Sequence, residues 1–166
     1  MSQVIFIGYM GCGKSVIAKM LAYEYGYDYV DLDKLIEKRQ GMSVRQIFVT
    51  KGEEYFRQVE REELLKILGA DKTIVAAGGG TPCFFDNMQR MNQSAVTVYL
   101  KVDPHQLFRR LRKVKHARPL ISHLDDHQLK EYIIHSLRER ESYYMQASII
   151  ITDIREQKTL IASFLE

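Results

Sequence analysis

Two cysteines, Cys12 and Cys83, are all that this 166-residue sequence holds. That is too few for a disulfide framework, and their spacing does not match a set of metal ligands. Long apolar runs are missing as well. None approaches the roughly 18 residues that a membrane-crossing helix needs, so no membrane partner is expected. Residues 1–8 carry no basic segment ahead of an apolar one and no cleavage site, so no secretion signal is visible. Reduced thiols and no export signal make the cytoplasm the expected location. Charge of one sign is scarce: 24 basic against 21 acidic residues leave +3, too little to imply nucleic acid as a partner, and none is expected. Repeats, low-complexity stretches and linkers are absent. What remains is 46% apolar and 27% charged, the composition of a globular protein, with one domain expected over 1–166.

Strand and helix signals alternate along the chain, the pattern of a parallel sheet with crossover helices. Strands are expected at 4–7, 27–30, 73–77, 95–100 and 148–152. Helices are expected at 14–25, 33–39, 43–49, 53–68, 84–91, 103–115, 129–145 and 155–165. Gly41 and Gly52 act as breaks and Ser43 as a cap. Residues 116–126 show no clear period and read as a mobile loop. Between 101 and 118 stand seven basic residues (101, 109, 110, 112, 113, 115 and 118) against one acid, Asp103. A solvated helix face accounts for such a run unless a phosphate site elsewhere calls for cations.

That site is present. Residues 8–15, Gly-Tyr-Met-Gly-Cys-Gly-Lys-Ser, fit the phosphate-binding pattern G-x-x-x-x-G-K-[ST], after an apolar strand and before a helix. The glycines let the backbone curl so that its N–H groups point at phosphate oxygens, and the positive end of the following helix adds to the field. Lys14 reaches the β- and γ-phosphates and the Ser15 hydroxyl ligates Mg²⁺. Gly11, Cys12, Gly13, Lys14, Ser15 and Val16 are the expected nucleotide contacts. The guanine-reading N/T-K-x-D and the switch D-x-x-G of regulatory GTPases are both absent, and motor or transporter ATPases need far more sequence. A small kinase using ATP and Mg²⁺ is left.

Asp31 and Asp33 fall at the carboxyl end of the second expected strand, where ligands bind in doubly wound sheets. One carboxylate can support Mg²⁺ through water while the other accepts a hydroxyl proton; Asp33 as a simple helix cap is the competing reading. Glu60 lies three residues beyond Arg57 on one helix and can hold its guanidinium. Arg57 and Arg140 together suit a carboxylate, although each alone reads better as a surface charge. Three successive glycines, Gly78, Gly79 and Gly80, provide no packing, so a close approach between backbone and ligand is the better reading. Arg118 can swing over the γ-phosphate from the irregular loop. Arg112 or a neighbour can stack on adenine. Cys12, near a helix N-terminus, is expected to be reactive, its alkylation blocking activity and Mg-ATP protecting it.

Taken in order, G-x-x-G-x-G-K-S at 8–15, D-L-D at 31–33, F-R-x-x-E at 56–60, G-G-G at 78–80, R-P-L at 118–120 and R-x-x-x-Y at 140–144 resemble the shikimate kinase family over nearly the whole chain. The resemblance implies an α/β three-layer P-loop fold. Its five-stranded parallel sheet has the order 2-3-1-4-5, with helices on both faces, a mobile lid at about 113–126 and an acceptor region at about 33–61. It also implies ATP-dependent phosphorylation of the 3-hydroxyl of shikimate, on the route to chorismate and the aromatic amino acids. By that likeness, Asp33, Arg57, Gly78, Gly79, Gly80 and Arg140 contact shikimate, with Phe48 and Phe56 closing the pocket. Asp33, Lys14 and Arg118 would be catalytic, Arg112 and Arg118 would face the nucleotide, and Ser15 and, through water, Asp31 would serve Mg²⁺. The chain departs from the family at Ala76-Ala77, where a Ser or Thr usually precedes the glycines, and at Ser142, where R-x-P-x-Y has proline. A related gluconate-type kinase and a non-catalytic ATP-dependent regulator are the alternatives. A monomer is expected, since no long apolar stripe is left over.

Overall fold

The computed structural model describes residues 3–153, 155, 159 and 161–165. Five strands, β1 (Gln3–Ile7), β2 (Asp28–Asp31), β3 (Thr73–Ala76), β4 (Val96–Leu100) and β5 (Ile149–Ile151), form one parallel sheet in the order β2-β3-β1-β4-β5. This is the expected order. β1 and β3 are buried along their whole length because helices cover both faces, which is why they read as unbroken apolar runs. The register sets the site. Ala76 pairs with Phe6 on one side and Asp31 on the other, and the Ala77 N–H donates to the Phe6 carbonyl at 3.0 Å. The loop after β1, the acids after β2 and the glycines after β3 therefore emerge side by side.

The helices are α1 (Lys14–Tyr25), α2 (Leu32–Gln40), α3 (Val44–Ile67), α4 (Asn87–Ser94), α5 (Pro104–Val114) and α6 (Asp126–Tyr144). Ser43 and Gln46 form a capping box at the start of α3. The two helices expected at 43–49 and 53–68 are the two limbs of α3, kinked at Gly52, whose φ of 84° and ψ of 167° are open only to glycine.

Two expectations are corrected. Residues 84–91 are not a helix from their start. Thr81–Cys83 forms a 3-10 turn, Phe84 is extended, and Phe85 has a φ of 52°, so α4 begins only at Asn87. Nor are residues 116–126 without local structure, although 118–125 lie in no helix or strand. Lys115–Ala117 is a 3-10 turn, the Arg118 carbonyl accepts from the N–H groups of Ile121 and Ser122, and Lys115 Nζ donates to the Leu124 carbonyl at 2.7 Å. Ile121 is fully buried, so the segment is pinned to the core at its middle. The helix expected at 155–165 falls partly outside the described residues. Among those that are described, no helix is long and apolar enough to cross a membrane.

Asp125 and Gln128 form a second capping box, at the start of α6. Asp125→Ala leaves the Gln128 N–H without its acceptor and is expected to cost about 1 kcal/mol, read as a lowered urea midpoint at unchanged slope.

Candidate active site

The phosphate loop leaves β1 at Gly8 and turns so that the Cys12 N–H donates to the Tyr9 carbonyl at 3.1 Å. Gly11 and Gly13 adopt φ of 78° and 93°. At the N-terminus of α1, Gly13 caps without a side-chain acceptor, and no acid stands in the first turn. The helix thus begins with N–H groups and dipole uncompensated by any side chain, which is the arrangement that attracts an anion. Lys14 is half-buried, while Ser15 and Val16 are exposed.

Competition between the two acids is resolved by geometry. Asp31, not Asp33, caps α2, accepting the Lys34 N–H at 3.1 Å. Its other oxygen faces the Ser15 hydroxyl at 3.3 Å and the Tyr29 hydroxyl at 3.4 Å. Asp33 is freed from capping and turns toward the glycines: a methyl group on Gly78 would stand 2.9 Å from its Oδ1. Burial pushes the Asp33 carboxyl up to about 6, with Glu60 and Asp31 adding repulsion against the opposing pull of Lys14 and Arg57.

Arg57 is 8% exposed and Glu60 fully buried. Arg57 donates to Glu60 Oε1 at 2.9 Å, and the second Glu60 oxygen accepts from the Thr81 hydroxyl at 2.7 Å. The guanidinium lies over Phe84 at 4.0 Å, Phe56 at 5.2 Å and Phe48 at 5.9 Å. Phe84 went unnoticed in the sequence because it sat inside an expected helix. The glycines are explained by crowding, since none of the three has a positive φ. A methyl group on Gly80 would fall 2.6 Å from an Arg57 nitrogen, and one on Gly79 would fall 3.4 Å from an Arg140 nitrogen. Arg140 comes from α6, one turn before Tyr144, whose buried hydroxyl donates to the Gly79 carbonyl. The structure thus brings Asp33, Arg57, Gly78, Gly79, Gly80 and Arg140 together, with Phe48 and Phe56 beneath Arg57.

Other expected residues are placed differently. Arg112 pairs with Asp126 at 3.0 Å. Arg110 takes the inner position, donating to the carbonyls of Gly11 and Cys12 at 3.2 Å each. It also lines a cavity of about 260 Å³ with Cys12, Ile17, Leu100, Gln106 and Asp153. Arg118 is half-buried at the turn after α5. Cys12 is 3% exposed and its sulfur packs toward Gly8, 2.9 Å from where a Cβ would be. The expectation of a reactive thiol is therefore corrected: a closed helix N-terminus does not make a buried sulfur accessible.

A family model described as shikimate kinase matches residues 10–166. The chain belongs to the shikimate kinase family. A shikimate kinase from Phocaeicola vulgatus is 43% identical over 147 residues, covering 89% of this chain and 84% of that protein. One from Parabacteroides distasonis is 44% identical over 149 residues, covering 90% and 86%. Among solved structures, shikimate kinase from Bacteroides thetaiotaomicron superposes with a TM-score of 0.88 at 37% identity, over 98% of this chain and 93% of that one. Shikimate kinase from Acinetobacter baumannii, in complex with shikimate, gives 0.87 at 25% identity over 98% and 94%. At the two departures from the shikimate kinase family pattern, Ala76 and Ala77 are buried, and Ser142 is exposed on α6, two residues before Tyr144, which reaches Gly79.

A carboxyl held near 6 opposes folding at neutral pH. Between about pH 4 and 6 the folded chain keeps a proton on Asp33 that the unfolded chain has lost, so stability falls as pH rises through that window and stays lower above it. Asp33→Asn is accordingly expected to be more stable than wild type at pH 8 by roughly 2–3 kcal/mol, with the gain gone below about pH 4, in urea titrations at both pH values.

Proposed function

We propose that this protein transfers the γ-phosphoryl group of ATP to the 3-hydroxyl of shikimate, giving shikimate 3-phosphate and ADP. The observation that carries this reading is the convergence of two guanidinium groups and one free carboxyl on the glycine turn: Arg57 against Gly80, Arg140 against Gly79 and Asp33 against Gly78. Two arginines select a carboxylate by paired charge-assisted hydrogen bonds. The carboxyl beside them meets the hydroxyl of the same acceptor.

The reaction asks the protein mainly for positioning and for neutralising charge. N–H groups of the phosphate loop from Gly11 to Val16 hold the β- and γ-phosphates, and Lys14 bridges toward the transferring group. Asp33 orients the attacking hydroxyl and takes its proton as the O–P bond forms. Arg118, carried on a lid of about 113–126, approaches the γ-phosphate and balances the charge on its oxygens. The acceptor region spans about 33–61, and the whole chain works as one kinase domain.

Ser15 and Asp31 suit Mg²⁺ as hard oxygen donors 3.3 Å apart. Among the described residues no cluster of three or more His, Cys, Asp or Glu could hold a metal by itself, which fits an ion that keeps waters and takes its remaining ligands from phosphate. Once bound, the ion neutralises phosphate charge. Adenine is assigned to the cavity beside Arg110 rather than to Arg112. Two free cysteines and a need for ATP fit a cytoplasmic enzyme, and we read it as a monomer.

The first test is ADP release from Mg-ATP with shikimate, quinate or gluconate as acceptor. Turnover strictly dependent on shikimate is expected; none on any acceptor overturns the assignment. The acid limb of kcat/KM for shikimate is expected near pH 6, because the base is lost as Asp33 takes up its proton. Asp33→Asn should lower kcat by about 10²–10⁴-fold with ATP binding retained in calorimetry. For the nucleotide, Arg110→Ala is expected to raise the ATP KM about fivefold through lost stacking, and Arg112→Ala to leave it within about twofold, since a surface ion pair contributes little.

A further inference from the structure

Tyr9 occupies a variable position of the phosphate loop, and its side chain is buried against α6. It is 1% exposed, and its hydroxyl shares a 2.5 Å hydrogen bond with Ser136 Oγ on α6. Ser136 in turn donates to the Tyr132 carbonyl at 2.6 Å, which locks the pair to the helix backbone. One turn further along α6, the Arg140 guanidinium lies over the Tyr9 ring, 5.7 Å from its centroid. Gly79 is also close: a Cβ there would meet an Arg140 nitrogen at 3.4 Å and the Met10 N at 3.6 Å. Arg140 thus lies near both the glycine turn and an aromatic ring that belongs to the phosphate loop.

We propose that Tyr9 is a positioning residue for the acceptor: its ring is the platform that fixes the Arg140 guanidinium, and its hydroxyl fixes the ring to α6. The inference rests on the reading that Arg140 meets the carboxylate of shikimate. Each half of the contact has a physical reason. An aromatic face attracts a cation most where water is excluded, and the ring here is buried. Tyr144 hydrogen-bonds the guanidinium as well, and with one face supported by the ring the remaining N–H groups can meet a carboxylate in plane. Because the Tyr9 carbonyl also accepts the Cys12 N–H at 3.1 Å, the same residue closes the phosphate loop and orients the acceptor arginine. The two substrates are held by one continuous piece of backbone and ring.

Steady-state kinetics of Tyr9→Phe, Tyr9→Leu, Arg140→Lys and the Tyr9→Leu/Arg140→Lys double variant test this. Tyr9→Phe keeps the platform and should leave the shikimate KM within about threefold, whereas Tyr9→Leu should raise it about tenfold with the ATP KM little changed. In the double variant the two effects should fail to add, since the ring acts only through the guanidinium. Full additivity, or an ATP KM that rises as much as the shikimate KM, overturns the proposal. Should the leucine variant not fold, trifluorophenylalanine at position 9 replaces it: the shape is close to that of Phe but the ring face is stripped of negative charge. The shikimate KM must then exceed that of Tyr9→Phe, and equal values overturn the proposal. An Arg140→Lys enzyme with an unchanged shikimate KM would instead remove the acceptor reading itself, independently of Tyr9.

Discussion

The ion pair between Glu60 and Arg57 forms where neither partner has water to turn to, Glu60 being fully buried and Arg57 nearly so. Desolvating two such charges is costly, and a buried pair is tolerated only when every remaining hydrogen-bonding position is filled. Here the Thr81 hydroxyl takes the second Glu60 oxygen, Glu53 lies against the far edge of the guanidinium, and Phe84 covers its face. Removing one partner of such a pair typically costs 3–5 kcal/mol. The glycine turn is arranged around this pair. Gly80 has no side chain because Arg57 fills the space, and Gly78 has none because Glu60, Thr81 and Asp33 crowd it.

Charge placed in this way also sets the chemistry of Asp33. Glu60 repels it and burial disfavours its ionised form, while Lys14 and Arg57 pull in the opposite sense. The result is a carboxyl pushed up to about 6. The strain of carrying it is met by the sheet. With Asp31 paired to Ala76 and Ala76 to Phe6, three loops are delivered to one edge by backbone hydrogen bonds that do not depend on the charges. Helix α6 then touches this edge at two points, through Ser136 at Tyr9 and through Tyr144 at Gly79.

Much of this was legible along the chain. The five strands were visible as apolar runs because a parallel sheet is buried on both faces. Gly52 marked the kink in α3 because a break needs a residue that can leave the helical region. The phosphate loop was legible because its function is local: the N–H groups, the lysine and the hydroxyl all lie within eight consecutive residues. Less legible were the segments whose conformation is fixed from outside. Residues 116–126 lack a period yet are ordered by a single buried side chain, Ile121, and by a lysine reaching a carbonyl nine residues away. Phe84 lost its helix to the turn at 81–83 and gained a place on Arg57.

Sequence alone determined which residue types are available and which local geometry each run adopts, because periodicity, glycine and capping act over a few residues. From these follow the sheet, its order by likeness to a known family, and the list of charged groups at the strand ends. Tertiary structure decided what those groups do to one another. Asp31 rather than Asp33 caps the helix, Arg110 rather than Arg112 bonds to the phosphate loop, and Cys12 is buried rather than exposed. Each of these depends on which way a side chain faces and on what another part of the chain sets against it. Distance and desolvation act across the fold, between residues as far apart as Tyr9 and Ser136, and a reading confined to neighbours in sequence does not contain them.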